Sequence, residues 1–106
     1  MKNFSEKVLE LAGRIPRGKV STYSEIARTL GKPGASRAVG NALRRNARPD
    51  RIPCYRVVRS DGFAGGYSRV MDSREKIHRL ERDGIVVSGG KVELGRYFHS
   101  FRKKQR

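Results

Sequence analysis

Residues 21–46, STYSEIARTLGKPGASRAVGNALRRN, decide the fold of this chain. Apolar residues recur at helical spacing on both sides of a glycine-containing segment, 31–34, whose composition predicts a turn. We expect one helix over about 23–30 and another over about 35–45. Two short helices joined by a turn that contains glycine are typical of a helix-turn-helix.

Hydroxyl side chains stand at the start of both helices. Ser21 or Thr22 can cap the first helix and Ser36 the second, because a side-chain oxygen accepts a hydrogen bond from the free N–H groups of the first turn. The inward positions of the first helix are expected to be Ile26, Ala27 and Leu30.

The second helix has one apolar and one basic face. Its buried face is expected to consist of Ala38, Val39, Ala42 and Leu43. The side chains that project the other way are Arg37, Asn41, Arg44 and, at the edge, Arg45. A solvated face is the ordinary explanation for such arginines. Here the preceding helix, the turn and the positive charge of the chain favour docking on DNA.

Further elements flank this unit. Apolar spacing predicts a helix near 4–14 and another over about 72–82, with Ile77 and Leu80 inward. Residues 86–93 read as a hairpin with a Gly-Gly turn. The predicted fold class is therefore mainly α with short β elements, a winged helix-turn-helix-like DNA-binding domain.

Composition points to a polyanionic partner. The 106 residues predict a single domain, 1–106, with a basic tail from about residue 96. Twenty-five lysines and arginines against ten acidic residues give a formal charge of +15, which favours nucleic acid. A single cysteine excludes an internal disulfide, and with two separated histidines it predicts neither a zinc site nor any other cofactor. The sequence contains no membrane-length apolar run and no signal peptide, so we expect an intracellular, DNA-associated monomer.

The single cysteine lies in Arg51-Ile52-Pro53-Cys54-Tyr55-Arg56-Val57-Val58, with Arg59-Ser60-Asp61-Gly62 following as a turn. Three arginines lie within five positions of Cys54, and positive charge favours a thiolate. Most free cysteines are small buried hydrophobes. On the local chemistry alone, a reactive and a structural thiol are equally good interpretations.

Three motifs resemble one protein family. Ile52–Val58 resembles the active-site signature of the O6-alkylguanine-DNA alkyltransferases, usually Pro-Cys-His-Arg-Val, and Arg37–Asn46 resembles their recognition helix with its following asparagine. Gly65-Gly66-Tyr67-Ser68 resembles their substrate-pocket loop, and the similarity runs from about Ser5 to Gly84. The resemblance implies a protein that binds double-stranded DNA containing O6-alkylguanine, flips the base, and transfers the alkyl group irreversibly to Cys54.

The resemblance also implies roles for individual residues. The catalytic set would be Cys54, Tyr55, Glu81 and Asn46, with Glu81 matching a glutamate that the family's histidine after the cysteine links, through water, to the thiol. The DNA-binding set would be Tyr23, Arg37, Asn41, Arg44 and Ser60, with Arg37 as the finger that fills the vacated stack. The base pocket would be lined by Tyr23, Pro49, Val57, Tyr67 and Ser68.

The chain departs from the family pattern in three ways. Tyr55 stands where the family has histidine, and a phenol with a pKa near 10 is a poor base at neutral pH. Arg69 replaces a usual glycine at the pocket mouth. The chain begins almost directly at the catalytic module, as in the single-domain alkyltransferase-like proteins, which bind the lesion without transfer and recruit other repair proteins. Those proteins usually have tryptophan in place of the cysteine.

These observations leave three functions open. A single-turnover methylated-DNA–protein-cysteine methyltransferase, active in DNA repair, accounts for Cys54 and the pocket loop. An alkyltransferase-like lesion binder accounts for Tyr55 and the short length. A winged-helix regulator with a structural Cys54 accounts for the charge and the helix-turn-helix alone.

Overall fold

A computed structural model describes residues 2–46, 48, 51–65 and 73–101. The helices of this part of the chain are α1 (Phe4–Gly13), α2 (Tyr23–Thr29), α3 (Ser36–Arg44), α4 (Ser73–Arg82) and α5 (Leu94–Tyr97), and a 3₁₀ turn covers Cys54–Arg56. The strands are β1 (Ser21–Thr22), β2 (Val57–Val58), β3 (Val87–Ser88) and β4 (Lys91–Val92). The prediction of a mainly helical domain with short strands is confirmed. No helix in these ranges is long and apolar enough to cross a membrane.

The helix-turn-helix forms as the sequence predicts. The side chain of Thr22 caps α2 by accepting a hydrogen bond from the backbone N–H of Glu25, 3.0 Å away. Gly31, with φ +77°, turns the chain toward α3. Ser36 does not cap α3: the N-cap is Ala35, whose side chain has no oxygen, and Ser36 is the first helical residue.

The α3 helix packs on α1 and α2 through a narrower face than expected. Val39, Ala42 and Leu43 are buried, whereas Ala38 is exposed and the prediction for it was wrong. Val39 and Leu43, four residues apart, lie on one stripe with Ala42, and Ala38 falls outside this stripe. Helix α1 closes the same core and is held at its start by a capping box between Asn3 and Glu6.

A short parallel pairing of β1 with β2 places the cysteine. Ser21 lies opposite Val57 and Thr22 opposite Val58, so the strand that leads into α2 runs beside the strand that leaves the 3₁₀ turn. Val57 packs in the core of α1, α2 and α3. Val58 packs in a second core with Leu80 of α4, Val92 of β4 and Tyr97 of α5. The cysteine therefore sits where the helix-turn-helix core meets the rest of the domain.

The hairpin of β3 and β4 is confirmed, with Gly89 and Gly90 in the turn at φ +58° and +77°. The loop after β2 docks on this hairpin through hydrogen bonds from the backbone of Val92 to Gly62 (2.8 Å) and from Ala64 to Gly90 (2.9 Å). Gly62 has φ +93°, and a Cβ there would lie 2.5 Å from the carbonyl oxygen of Val92, so only glycine fits.

The segment after α5 is part of the packed fold. Val20 donates to the carbonyl of Tyr97 (2.9 Å), and the backbone N–H of His99 donates to the carbonyl of Val20 (2.7 Å). The buried carboxylate of Glu25 accepts hydrogen bonds from the Ser100 hydroxyl and the Phe101 N–H, each at 3.1 Å. The basic segment beyond residue 101 lies outside the described residues.

Candidate active site and DNA-binding surface

Cys54 lies at the start of the 3₁₀ turn with 7% of its surface exposed. Its side chain belongs to the core cluster of α1, α2 and α3, and Tyr23 packs against the same cluster. Tyr23 is the first residue of α2, so the β1–β2 pairing brings it next to the turn that carries the cysteine. The structure therefore brings together two residues that stand 31 positions apart in the sequence.

A buried lysine completes this group. Lys76 on α4 is 3% exposed, and its Nζ donates a hydrogen bond to the Tyr23 hydroxyl at 3.1 Å. Burial lowers the pKa of Lys76 to about 8, against a smaller opposing effect from negative charge on Cys54. Burial, with a contribution from Cys54, raises the pKa of Tyr23 to about 12, so the phenol keeps its proton at neutral pH.

Asn46 braces the loop that precedes the cysteine. Its side-chain amide donates to the carbonyl of Ile52 (3.0 Å), and its side-chain oxygen accepts from the backbone N–H of Arg48 (2.9 Å). Asn46 is itself 3% exposed and follows the last turn of α3. The end of α3 and the approach to Cys54 are therefore joined by one satisfied side chain.

The partner of Tyr55 differs from the expected one. Its hydroxyl donates to Oδ2 of Asp83 at 2.9 Å, whereas Glu81 is exposed on α4. The side chain that reaches Tyr55 directly is Asp83 rather than Glu81, because the backbone N–H of Asp83 bonds to the carbonyls of Arg79 and Leu80 and its side chain faces the 3₁₀ turn. Burial first, and then the hydrogen bond to Asp83, raises the pKa of Tyr55, which makes it a weaker base still.

The guanidinium of Arg56 is bound to groups other than the Cys54 thiol. Its Nε donates to Asp83 (3.0 Å) and its Nη1 donates to the carbonyl of Ile15 (2.8 Å), so the guanidinium is held between α1 and the end of α4. From the sequence, we expected the three arginines near Cys54 to favour a thiolate. Lys76 is a buried cation that interacts electrostatically with Cys54.

Four of the five DNA-binding candidates lie on exposed positions, and the fifth, Tyr23, is partly buried. Arg37, Asn41 and Arg44 are exposed on α3, opposite the buried stripe. The ring of Tyr23 lies beside the same helix, 3.9 Å from where a Cβ on Gly40 would be. Ser60 is exposed in the turn that follows β2.

The base-pocket candidates are only partly described. Val57 is fully buried and its side chain packs in the core, so only its backbone could face a ligand. Pro49, Tyr67 and Ser68 lie outside the described residues, as does Arg69. Of the predicted pocket, the structure therefore places Tyr23 and Val57.

Two residues of the site escaped the sequence analysis. Lys76 and Asp83 both sit on the α4 side, and lysine and aspartate are ordinarily exposed. A signal for Asp83 exists in Asp83-Gly84, since glycine often follows the last turn of a helix and fixes the residue before it. We find no such signal for Lys76.

Comparison with known proteins gives one matching family. Residues 3–85 match the family described as 6-O-methylguanine DNA methyltransferase, DNA binding domain. The chain is 49% identical over 92 residues to a bifunctional methyltransferase/endonuclease of Picrophilus torridus, covering 86% of this chain and 30% of that protein. The chain thus spans less than a third of that relative's length.

Shorter relatives match over almost their whole length. A DNA base-flipping protein of Vibrio parahaemolyticus is 39% identical over 98 residues, which are 92% of this chain and 96% of that protein. The crystal structure of Schizosaccharomyces pombe Atl1 in complex with damaged DNA containing O6-carboxymethylguanine is 32% identical, with a TM-score of 0.83. That match covers 94% of this chain and 99% of that one.

Proposed function

Because the chain belongs to the 6-O-methylguanine DNA methyltransferase family through its DNA-binding domain, we propose that it binds O6-alkylguanine in double-stranded DNA and takes the alkyl group onto Cys54. One observation carries the proposal: a protonated tyrosine packs against the core cluster that holds the cysteine, and a buried lysine donates a hydrogen bond to that tyrosine and interacts electrostatically with the cysteine. A cysteine with a purely structural role would not require a buried lysine and a tyrosine beside it. The protein would work inside the cell, on DNA.

Docking would use the helix-turn-helix. Arg37, Asn41 and Arg44 present cations and an amide on the exposed face of α3, which suits a groove lined by phosphates. The target guanine must leave the stack, because its alkylated oxygen is otherwise out of reach. Arg37, on the first turn of α3, is the side chain that we assign to the vacated space.

The transfer would be one displacement. The thiolate sulfur of Cys54 forms a bond to the alkyl carbon while the carbon–oxygen bond breaks, and the bonding pair passes to the guanine. The Tyr23 hydroxyl, kept protonated by its raised pKa, donates to the departing guanine. Lys76 donates to the Tyr23 oxygen and would stabilise the negative charge that the phenol acquires.

The thiol must first lose its proton. Tyr55 cannot accept it at neutral pH, because its hydroxyl already donates to Asp83 and its pKa is raised. Lys76, with a pKa of about 8, is the group near Cys54 that suits a base at neutral pH. Once protonated, its ammonium stabilises the thiolate that remains. The reaction consumes the protein, since a thioether does not reverse.

A second function, lesion binding without transfer, is favoured by two observations. The chain is 39% identical to a DNA base-flipping protein and 32% identical to Atl1, whose crystal structure holds damaged DNA containing O6-carboxymethylguanine. In addition, Tyr55 stands where the alkyltransferase signature has a histidine that can act as a base. In that role the protein would hold the flipped base as a signal for other repair proteins.

The deciding experiment is intact-mass spectrometry of the full chain after incubation with a duplex that contains O6-methylguanine, with Cys54→Ser as the matched control. The proposal requires a gain of one CH₂ unit on the wild-type protein, located to Cys54 by peptide mapping and missing from Cys54→Ser. Lesion-dependent binding without an adduct selects the second function. Equal binding to damaged and undamaged duplexes, also without an adduct, rejects both.

A further inference from the structure

A cavity of about 290 Å³ is lined in part by Tyr55 and serves no step of the proposed reaction. It is lined by Arg17, Tyr55, Arg56, Arg79, Arg82 and Asp83. These residues come from the loop after α1, the 3₁₀ turn and the end of α4, and none of them belongs to α2 or α3. The cavity is therefore separate from the helices that we assign to DNA docking.

The lining is strongly cationic. Four guanidinium groups face one carboxylate, which gives the six residues a formal charge of +3. Asp83 is already shared between Arg56, at 3.0 Å, and Arg17, at 3.5 Å. Glu75, outside the lining, pairs with Arg79. Two carboxylates do not neutralise four arginines, so a negatively charged occupant is favoured electrostatically.

The arginines differ in how firmly they are held. Arg56 is fixed by Asp83 and the carbonyl of Ile15, and its guanidinium lies 5.3 Å from the centre of the Tyr55 ring. Arg79 pairs with Glu75 at 2.9 Å and approaches the same ring at 5.9 Å. Each of these guanidinium groups has five N–H donors and uses a minority of them in these contacts. The remaining donors are available to an anion.

Two features of the cavity could oppose an anion. Helix α4 ends here, and the last carbonyls of a helix carry partial negative charge. However, the carbonyl of Arg82 accepts a hydrogen bond from Arg17 at 3.2 Å, and the N–H of Asp83 donates to the carbonyls of Arg79 and Leu80. The second feature is Asp83 itself, and its carboxylate is turned to its arginine and tyrosine partners.

We propose that this cavity binds a phosphate group. Planar guanidinium forks match phosphate oxygens in pairs, and several of them around one small volume favour phosphate over a singly charged carboxylate. Because Arg56 and Arg79 already approach the Tyr55 ring, that ring is not free to stack on a base. The ligand is therefore recognised by its phosphates. They could belong to a free pyrophosphate-type anion or to the backbone of DNA.

The test is calorimetric titration of the full chain with sodium pyrophosphate at constant ionic strength. We expect one saturable site, weakened at least about tenfold in Arg79→Gln/Arg82→Gln and changed less than about twofold in Arg74→Gln. Arg74 is an exposed arginine of the same helix outside the cavity, so it is a matched control. Arg82→Gln alone, at an exposed position, repeats the test if the double variant folds poorly.

A second titration separates the two sources of phosphate. If the site takes DNA phosphate, pyrophosphate competes with an undamaged duplex. The double variant then lowers the slope of log affinity against log salt concentration by the amount expected for about one or two lost phosphate contacts. If it takes a free anion, duplex and pyrophosphate bind together. The proposal is overturned if pyrophosphate does not saturate, or if Arg74→Gln weakens it as much as the double variant does. Neither result would bear on transfer to Cys54.

Discussion

Replacing Lys76 by methionine should make the protein more stable and less reactive. The side chain of Lys76 is buried, and the folded protein lowers its pKa from the usual 10.5 to about 8. Between those values the unfolded chain binds the proton more tightly than the folded one does. Folding stability therefore rises with pH across this window, and at neutral pH the buried amine costs about 3 kcal/mol.

Methionine fills a similar volume without a charge. The substitution also deletes the 3.1 Å hydrogen bond to the Tyr23 hydroxyl, a loss of about 1 kcal/mol. At pH 7 we therefore expect Lys76→Met to raise the free energy of unfolding by about 2 kcal/mol. The difference in the free energy of unfolding between variant and wild type should shrink by about 2 kcal/mol by pH 9.5, where much of the cost of burying the charged amine is gone.

The assay is urea unfolding of both proteins at pH 7 and pH 9.5. The upper limit stays below 10 because the pKa of Tyr23 is raised to about 12, so stability is lost as the unfolded chain's tyrosine ionises above pH 10. Lys7→Met, at an exposed position of α1, is the control and should change stability by less than about 0.5 kcal/mol at either pH. Lower stability of Lys76→Met at pH 7, or a gap that is independent of pH, would refute the reasoning.

Three further outcomes follow from the site and the fold. Tyr55→His should speed single-turnover methyl transfer at least about tenfold, because an imidazole held by Asp83 can accept the thiol proton; an unchanged or slower rate contradicts this account. Arg37→Ala should weaken binding to an O6-methylguanine duplex more than to an undamaged one in fluorescence titrations, and equal losses would make Arg37 a phosphate contact only. Gly62→Ala should lower the free energy of unfolding by about 2–4 kcal/mol, since its φ of +93° is unfavourable and its Cβ would lie 2.5 Å from a carbonyl of β4. The control Gly34→Ala, with open space around it, should stay within about 0.5 kcal/mol in the same denaturation assay.

Local signals in the sequence were enough for most of the secondary structure. The bounds of α1, α2 and α3 follow from apolar spacing and from residues such as Thr22, whose capping bond depends only on its near neighbours. The hairpin of β3 and β4 follows from its Gly-Gly turn. The parallel pairing of β1 with β2 could not be predicted, because each strand has two residues and the partners are 36 positions apart.

The site was predictable only where a motif stands in one stretch of chain. Cys54 and Asn46 lie in such stretches, and the structure places them as neighbours of the same loop. Lys76 and Asp83 belong to the site only because tertiary packing brings them there. Lysine and aspartate are ordinarily exposed, so the sequence does not indicate that these two are placed at the site. The resemblance pointed to Glu81, whereas the residue that contacts Tyr55 is Asp83, because the end of α4 turns Asp83 toward the 3₁₀ turn.

The polar groups around Cys54 divide into two networks that differ in purpose. In one, Asp83 is shared by Tyr55 and Arg56, every contact is an ordinary hydrogen bond or ion pair, and the result joins α1, the 3₁₀ turn and the end of α4. Such a network is explained by the fold alone. This network also leaves Tyr55 unsuited to act as a base, since its hydroxyl already donates a hydrogen bond to Asp83.

The other network, Lys76 with Tyr23, is not explained by the fold. A buried amine whose pKa is lowered to about 8 destabilises the protein at neutral pH, and an apolar side chain in its place would fill the core at less cost. Perturbed groups that cost stability cluster where chemistry is done. This lysine interacts electrostatically with Cys54 and donates a hydrogen bond to Tyr23. The destabilising amine therefore lies beside the two residues that an alkyl transfer would need. The energetics of α4 therefore argue for a reactive thiol independently of the Pro-Cys motif.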